Sequence, residues 1–102
     1  MSTVEMADRL VVRVSGECDM SSSGELAAAL TAALESSPRT EVDLGAVGFL
    51  DSSGIHVLVT AYRDAQSRGA VVYVTHAAGM VATVLEMTGV GTLLASPSQA
   101  ER

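Results

Sequence analysis

Leu26, Ala29, Leu30, Ala33 and Leu34 recur at i, i+3, i+4, i+7 and i+8, the repeat of a helix that buries one face. Ser21, Ser22 or Ser23 can cap its start, Glu25 suits its first turn, and Pro38 follows its end. Before it, Leu10 to Ser15 is an apolar, β-branched run closed by Gly16, which predicts a strand. A weaker run from Thr3 to Met6 predicts an edge partner, joined through a turn near Ala7 and Asp8. After the helix, Glu41 to Leu44 reads as a brief strand and Gly45 to Gly48 as a glycine-bracketed loop. A second helix is predicted from Ser52 to Arg68, with Ile55, Leu58, Val59 and Tyr62 as its inner stripe and Gly69 as the residue that stops it. Ala70 to Thr75 predicts a nearly continuous apolar strand. Ala77 to Thr88 predicts a third helix through Val81, Val84 and Leu85, and Val90 to Ala95 a last strand. Residues 96–102 are polar and expected to form a loose tail.

From Leu10 onward, strands and helices alternate with short links, which argues for an α/β layer with parallel neighbouring strands. Three substantial helices are few for covering both faces of a sheet, so a single helical layer on one face is expected. The length, 102 residues, suits one domain with a core that needs neither disulfide nor metal.

Composition narrows the chemistry. Hydrophobic residues make up 48% of the chain, but only Phe49, Tyr62 and Tyr73 carry aromatic rings, so the core is built from Ala, Val and Leu. Twelve acids face six bases, all arginine, for a net charge of -6. With no basic cluster, nucleic acid is an unsuitable direct partner. No apolar run reaches the roughly 18 residues that a membrane span needs, and the N-terminus lacks a basic segment followed by a hydrophobic one. A cytoplasmic protein without membrane insertion is expected, and the lone Cys18 fits a reducing compartment. Cys18, His56 and His76 are too dispersed in sequence to suggest a metal site, and Met80 and Met87 are expected to fill the core or its margin.

The candidate chemistry lies in Phe49, Leu50, Asp51, Ser52, Ser53 and Gly54, where a strand passes into the second helix. Asp51 at the N-cap can accept a backbone N–H and fix Ser52 in the first turn with its hydroxyl outward. Unpaired N–H groups and the positive end of the dipole favour an anion there, a covalent phosphate included. Gly54 is expected to leave the adjacent surface open.

A second signature, Gly16, Glu17, Cys18 and Asp19, ends the early strand, and a weaker third, Val84 to Val90, ends the last helix. Together, in this order and on these elements, they resemble a STAS domain of the anti-sigma factor antagonist family over about residues 9–95. The resemblance implies a STAS-type mixed sheet of roughly four to five strands with helices layered on one face. It also implies no catalytic activity, no cofactor, and reversible phosphorylation of the first serine after the aspartate, which is Ser52. In that family the unphosphorylated form captures an anti-sigma factor, often itself a serine kinase, and frees a sigma factor; a serine phosphatase resets the switch. Because loops after parallel strands gather on one sheet edge, Asp19, Met20 and Ser21 are expected to join Asp51, Ser52, Ser53 and Gly54 in one polar docking patch. Asp19 can equally serve as an ordinary turn cap. Ala82 and Thr83 stand where relatives often carry a basic residue, which leaves partner choice open.

Three rival readings fit the sequence less well. Some STAS domains are passive binding modules, including small subunits of membrane transport complexes and stress-signalling scaffolds. A hydrolase built on Ser52 and His56 lacks the upstream glycine of a nucleophile elbow, which needs Gly two positions either side of the serine: Leu50 holds that place for Ser52 and Asp51 for Ser53. A phospho-accepting receiver domain needs a lysine on a later strand, and this chain has none.

Overall fold

Alternation along the strands decides which face of the sheet takes the core. Val12 and Val14, Val42 and Leu44, and Val72 are buried on one face, while the residues between them point to the other. The computed structural model describes residues 1–95. Its strands are β1 (Ser2–Glu5), β2 (Leu10–Cys18), β3 (Arg39–Leu50) and β4 (Val71–Thr75), arranged in that spatial order in one four-stranded sheet. β1 runs antiparallel to β2, and β2, β3 and β4 are mutually parallel neighbours. Helices α1 (Ser23–Ser36), α2 (Ser52–Arg68), α3 (Gly79–Thr88) and α4 (Val90–Leu93) complete the described fold. Leu26, Leu30 and Leu34 of α1, Leu58, Ala61 and Ala65 of α2, and Val81 and Leu85 of α3 all join the same apolar cluster as the inward-facing strand residues. The helices therefore layer on one face, as the sequence predicts.

Five local expectations differ from the structure. The early strand does not stop at Gly16: it passes through that residue with φ 83° and pairs on to Cys18. Likewise 45–48 is not a loop, because Ala46, Val47, Phe49 and Leu50 pair with Ser15, Gly16, Glu17 and Cys18 across two register shifts. Burial of Val47, Leu50 and Cys18 holds this bulged extension against the core despite its glycines. The inner stripe of α2 is offset from the large apolar residues: Gly54, Val57, Leu58, Ala61 and Ala65 are buried, and Ile55, Val59 and Tyr62 are only half-buried beside them. Small residues make the seam because they let α2 approach the sheet closely. The expected last strand is instead the turn of helix α4, whose boundary residues Val90 and Leu94 are both buried one helical turn apart. Leu94 still reaches the sheet edge, accepting from the backbone N–H of Val74 at 2.9 Å. Met80 and Met87, expected near the core, are 57% and 81% exposed, since Val81 and Leu85 hold the inner face of α3. The expected loose tail at 96–102 lies outside the described residues.

The helix-free face carries a charged centre. Val4, Val11, Glu41 and Tyr73 form one row across the four strands. Glu41 is 7% exposed, accepting from Arg9 Nε at 2.7 Å and from the Thr75 hydroxyl at 2.7 Å. Burial pushes its carboxyl upward, but the hydrogen bonds from Thr75 and Arg9 together hold it below its ordinary value. A carboxyl whose folded pKa lies below its unfolded one stabilises the fold above the unfolded pKa and loses that contribution as pH falls through the folded value. Acid titration of stability, followed by urea midpoints between neutral pH and pH ~3, is therefore expected to give a shallower decline for Glu41→Gln than for the wild type.

Candidate functional site

The bulged pairing of β2 with β3 sets Cys18 beside Leu50, so both chains leave the sheet at one point. The Asp51 N–H donates to the Cys18 carbonyl at 3.1 Å, tying the start of α2 to the loop that opens at Asp19. Asp51 is the N-cap of α2: its Oδ1 accepts from Ser53 N at 2.9 Å, Gly54 N at 3.3 Å and the Ser53 hydroxyl at 2.5 Å. Ser53 is thus held inward by the cap. Ser52, in contrast, is exposed, and its hydroxyl has no hydrogen-bond partner among the described residues.

Gly54 departs from expectation. It is buried rather than opening a surface, because a side chain there would meet Leu50 Cδ1 at 2.5 Å, Cys18 Cβ at 3.1 Å and the Cys18 carbonyl at 3.2 Å. Its role is to let α2 seat against the ends of β2 and β3.

The Asp19 loop repeats the pattern of the cap. Asp19 Oδ1 accepts from the Ser21 N–H at 3.0 Å and from the Ser21 hydroxyl at 2.6 Å. The Ser22 hydroxyl donates to the Glu17 carbonyl at 2.7 Å, so the N-cap of α1 makes no side-chain cap bond. Asp19 is therefore a turn-forming residue, and the same turn brings it toward Asp51. The Ser21 hydroxyl keeps the Asp19 carboxyl below its ordinary value. At Asp51 the Ser53 hydroxyl has the same effect, opposed by burial and by the negative charge of Asp19. Both carboxylates are ionised at neutral pH. An anion added at Ser52 would face them with only part of the helix-start field available, because the cap already occupies the Ser53 and Gly54 amides.

The surroundings are less polar than expected. Met20 is 82% exposed after β2, Phe49 is 37% exposed near the end of β3, and Met80 lies at the start of α3 after β4. Met20 and Phe49 lie where β2 and β3 leave the sheet, the corner that presents Ser52, whereas β4 ends at Thr75 opposite Asp43, seven residues before Leu50. Exposed apolar side chains beside a polar cap are what protein docking surfaces offer. Phe49 and Met80 escape a sequence reading because a strand residue and a helical Met are ordinarily inward.

A family model described as Mlab, STAS domain, matches residues 1–95, and the two signature segments fall on the joined loops just described. The chain belongs to the STAS domain family. Among solved structures, this STAS domain is similar to an anti-sigma factor antagonist from Mycobacterium paratuberculosis at 27% identity and a TM-score of 0.77, covering 97% of this chain and 87% of that one. It shares its fold with the anti-sigma factor antagonist SpoIIAA in its unphosphorylated form, at 18% identity and a TM-score of 0.78 over 97% of this chain and 90% of that one. It also shares its fold with a sulfate transporter family protein from Wolinella succinogenes, at 17% identity and a TM-score of 0.71 over 82% of this chain and 69% of that one. STAS domains are regulatory or binding modules. No helix among the described residues is long and apolar enough to cross a membrane.

One cluster in this STAS domain was not legible from spacing. Glu41, Asp43 and His76 bring potential metal-ligand atoms within 4.8 Å of one another. Both Glu41 oxygens are already engaged, one by the Arg9 guanidinium, and His76 Nδ1 lies 3.0 Å from Thr75 Oγ1. The arrangement is a hydrogen-bonded network on the helix-free face rather than a set of free ligands. Cys18 and His56 take no part in it.

Removing the cap tests the local geometry. Asp51→Ala is expected to lower the urea midpoint of unfolding, because the cap bonds to the Ser53 and Gly54 amides are lost, and to release the Ser53 hydroxyl. Acidification of the wild type should weaken the cap in the same direction, since the Asp51 pKa lies below its ordinary value and the charged contribution is lost as pH falls through the folded value.

Proposed function

We propose that this STAS domain is an anti-sigma factor antagonist. Its unphosphorylated form captures an anti-sigma factor, a serine kinase, and thereby frees a sigma factor. Phosphorylation of Ser52 ends the capture, and a serine phosphatase restores it. The observation that carries this reading is the contrast between neighbouring serines: Ser53 is bound to Asp51, whereas Ser52, the first residue of α2, is exposed with a hydroxyl that has no partner among the described residues. A kinase can reach Ser52 without disturbing the cap, and a partner packed over it would feel any group added there.

Phosphorylation adds about -1.5 to -2 charge units and three acceptor oxygens. That dianion is placed beside Asp51 and Asp19, on a surface where Met20 and Phe49 offer apolar contact. The fold tolerates the charge because Ser52 is exposed and its hydroxyl has no hydrogen-bond partner among the described residues. Binding does not tolerate it, because the partner must then bury a dianion, so the switch is steric and electrostatic and needs no conformational change. SpoIIAA, whose fold is shared, was solved in a form specified as unphosphorylated, which supports phosphorylation as the controlled variable. The reading places the protein in the cytoplasm, with no direct contact to nucleic acid.

Competition tests it. A complex of anti-sigma and sigma factors, titrated with the purified chain, is expected to release the sigma factor; if the chain binds neither component, the proposal fails. The fold shared with a transporter-family protein favours one second reading, a binding module that docks on a transport complex without phosphorylation. Affinity capture that recovers a transporter subunit and no kinase would select it.

A further inference from the structure

α1 and α2 follow adjacent parallel strands and lie side by side, yet their contact is incomplete. A groove of about 560 Å³ runs between them, floored by Leu30 and Leu34 of α1 and Val57 and Ala61 of α2. Its α2 rim is formed by His56, Thr60, Arg63 and Ser67, spaced so that they share one helix face. Asp64, also at the rim, is paired with Arg68 at 2.9 Å, whereas Arg63 has no ion-pair partner among the described residues. An acidic chain thus sets, at the rim of this apolar groove, a cation with no ion-pair partner among the described residues.

The groove also has a position and a length. It opens at His56, one helical turn from Ser52, and extends to Ser67, a run of roughly 16 Å at the α-helical rise. That is about three turns of a second helix. We infer that the α1–α2 groove is a docking site for an amphipathic helix of the captured protein, with leucine-type side chains against Leu30, Leu34, Val57 and Ala61 and a carboxylate opposite Arg63. Continuity with the proposed Ser52 surface and the charge complementarity of Arg63, which has no ion-pair partner among the described residues, point to this occupant. The inference rests on the capture reading for whose helix it is, but not for what the groove binds. Phosphorylation at Ser52 would control one end of a contact whose affinity is largely supplied along the groove.

The probe is a side-chain-stapled helix of about three to four turns, leucine-rich on one face with glutamates at its edge, and its counterpart with lysines in their place. Each is titrated into the isotopically labelled full chain while backbone amide shifts are followed. The glutamate peptide is expected to shift amides in Ala27–Leu34 and His56–Ser67 and to bind at least ~10-fold more tightly than the lysine peptide. Arg63→Glu should reverse that preference, and Ser52→Asp should leave it unchanged. Shifts confined to other surfaces, or a preference that survives Arg63→Glu, would overturn the groove assignment. With an anti-sigma factor that binds the wild type, Arg63→Glu and Thr31→Trp, both at exposed rim positions, are expected to lower affinity ~10-fold or more. Full affinity in both variants would discard the groove while leaving capture at Ser52 intact. Peptide binding without capture of any anti-sigma factor would instead reject the capture reading.

Discussion

Ser52→Asp is expected to weaken anti-sigma factor binding by roughly 30- to 150-fold, equivalent to about 2–3 kcal/mol, while Ser52→Ala binds as tightly as the wild type. The asymmetry follows from the site. Ala removes a hydroxyl that has no partner among the described residues, so nothing inside the molecule is lost. Asp places a third carboxylate beside Asp51 and Asp19, which already repel each other through the Cys18 corner. A partner packing on Met20 and Phe49 must then bury that charge without a compensating cation, a cost in the range of an uncompensated polar burial. Calorimetric titration of the three proteins checks it. Because Ser52 is exposed, thermal unfolding of all three should agree to within about 0.5 kcal/mol, which separates a binding effect from a folding one.

Leu58→Ala is expected to cost about 2–5 kcal/mol, a large share of the 5–15 kcal/mol typical of a domain. Leu58 has no exposed surface and sits in the cluster with Leu30, Val42 and Leu44, where α2 crosses the sheet. Few neighbours can collapse into the space it leaves, because the seam around it is made of Ala61, Ala65 and Gly54. Urea unfolding should show the lost stability as a lowered midpoint with an unchanged slope. Binding by the fraction that remains folded should keep its Ser52 dependence, since the cap bonds of Asp51 do not involve Leu58.

The helices and parallel strands were legible where large apolar residues carry the period. Leu26, Leu30 and Leu34 announce α1, and Gly69, with φ 70°, closes α2 as expected. Legibility failed where glycine or alanine carries the structure. Gly16 and residues 45–48 read as strand ends because glycine ordinarily breaks strands, yet pairing with each other and burial of Val47 and Cys18 carry both strands onward. Ala61 and Ala65 are weak hydrophobic signals, so the true inner seam of α2 was hidden behind Ile55 and Tyr62. Val90 and Leu94 share either a strand's or a helix's pattern over so short a run, and the left-handed Gly89 decides for the helix.

The site was legible to the extent that it is local. Asp51 as cap and Ser52 as the outward hydroxyl follow from the order of residues at a helix start. The approach of Asp19 to Asp51 follows from the parallel pairing of β2 and β3. The buried fit of Gly54 against Cys18, the exposed ring of Phe49 and the α1–α2 groove do not follow, because each depends on contacts between elements distant in sequence.

The switch at Ser52 is tested most directly by coupling modification to affinity in a single sample. The full chain is incubated with the candidate anti-sigma kinase and ATP, the modified residue is mapped by mass spectrometry, and the affinity of the phosphorylated and unphosphorylated forms for that kinase is measured. One phosphate, on Ser52, and a loss of affinity of roughly 30-fold or more are expected. A phosphate on Ser53 or elsewhere, or equal binding by both forms, would contradict the switch.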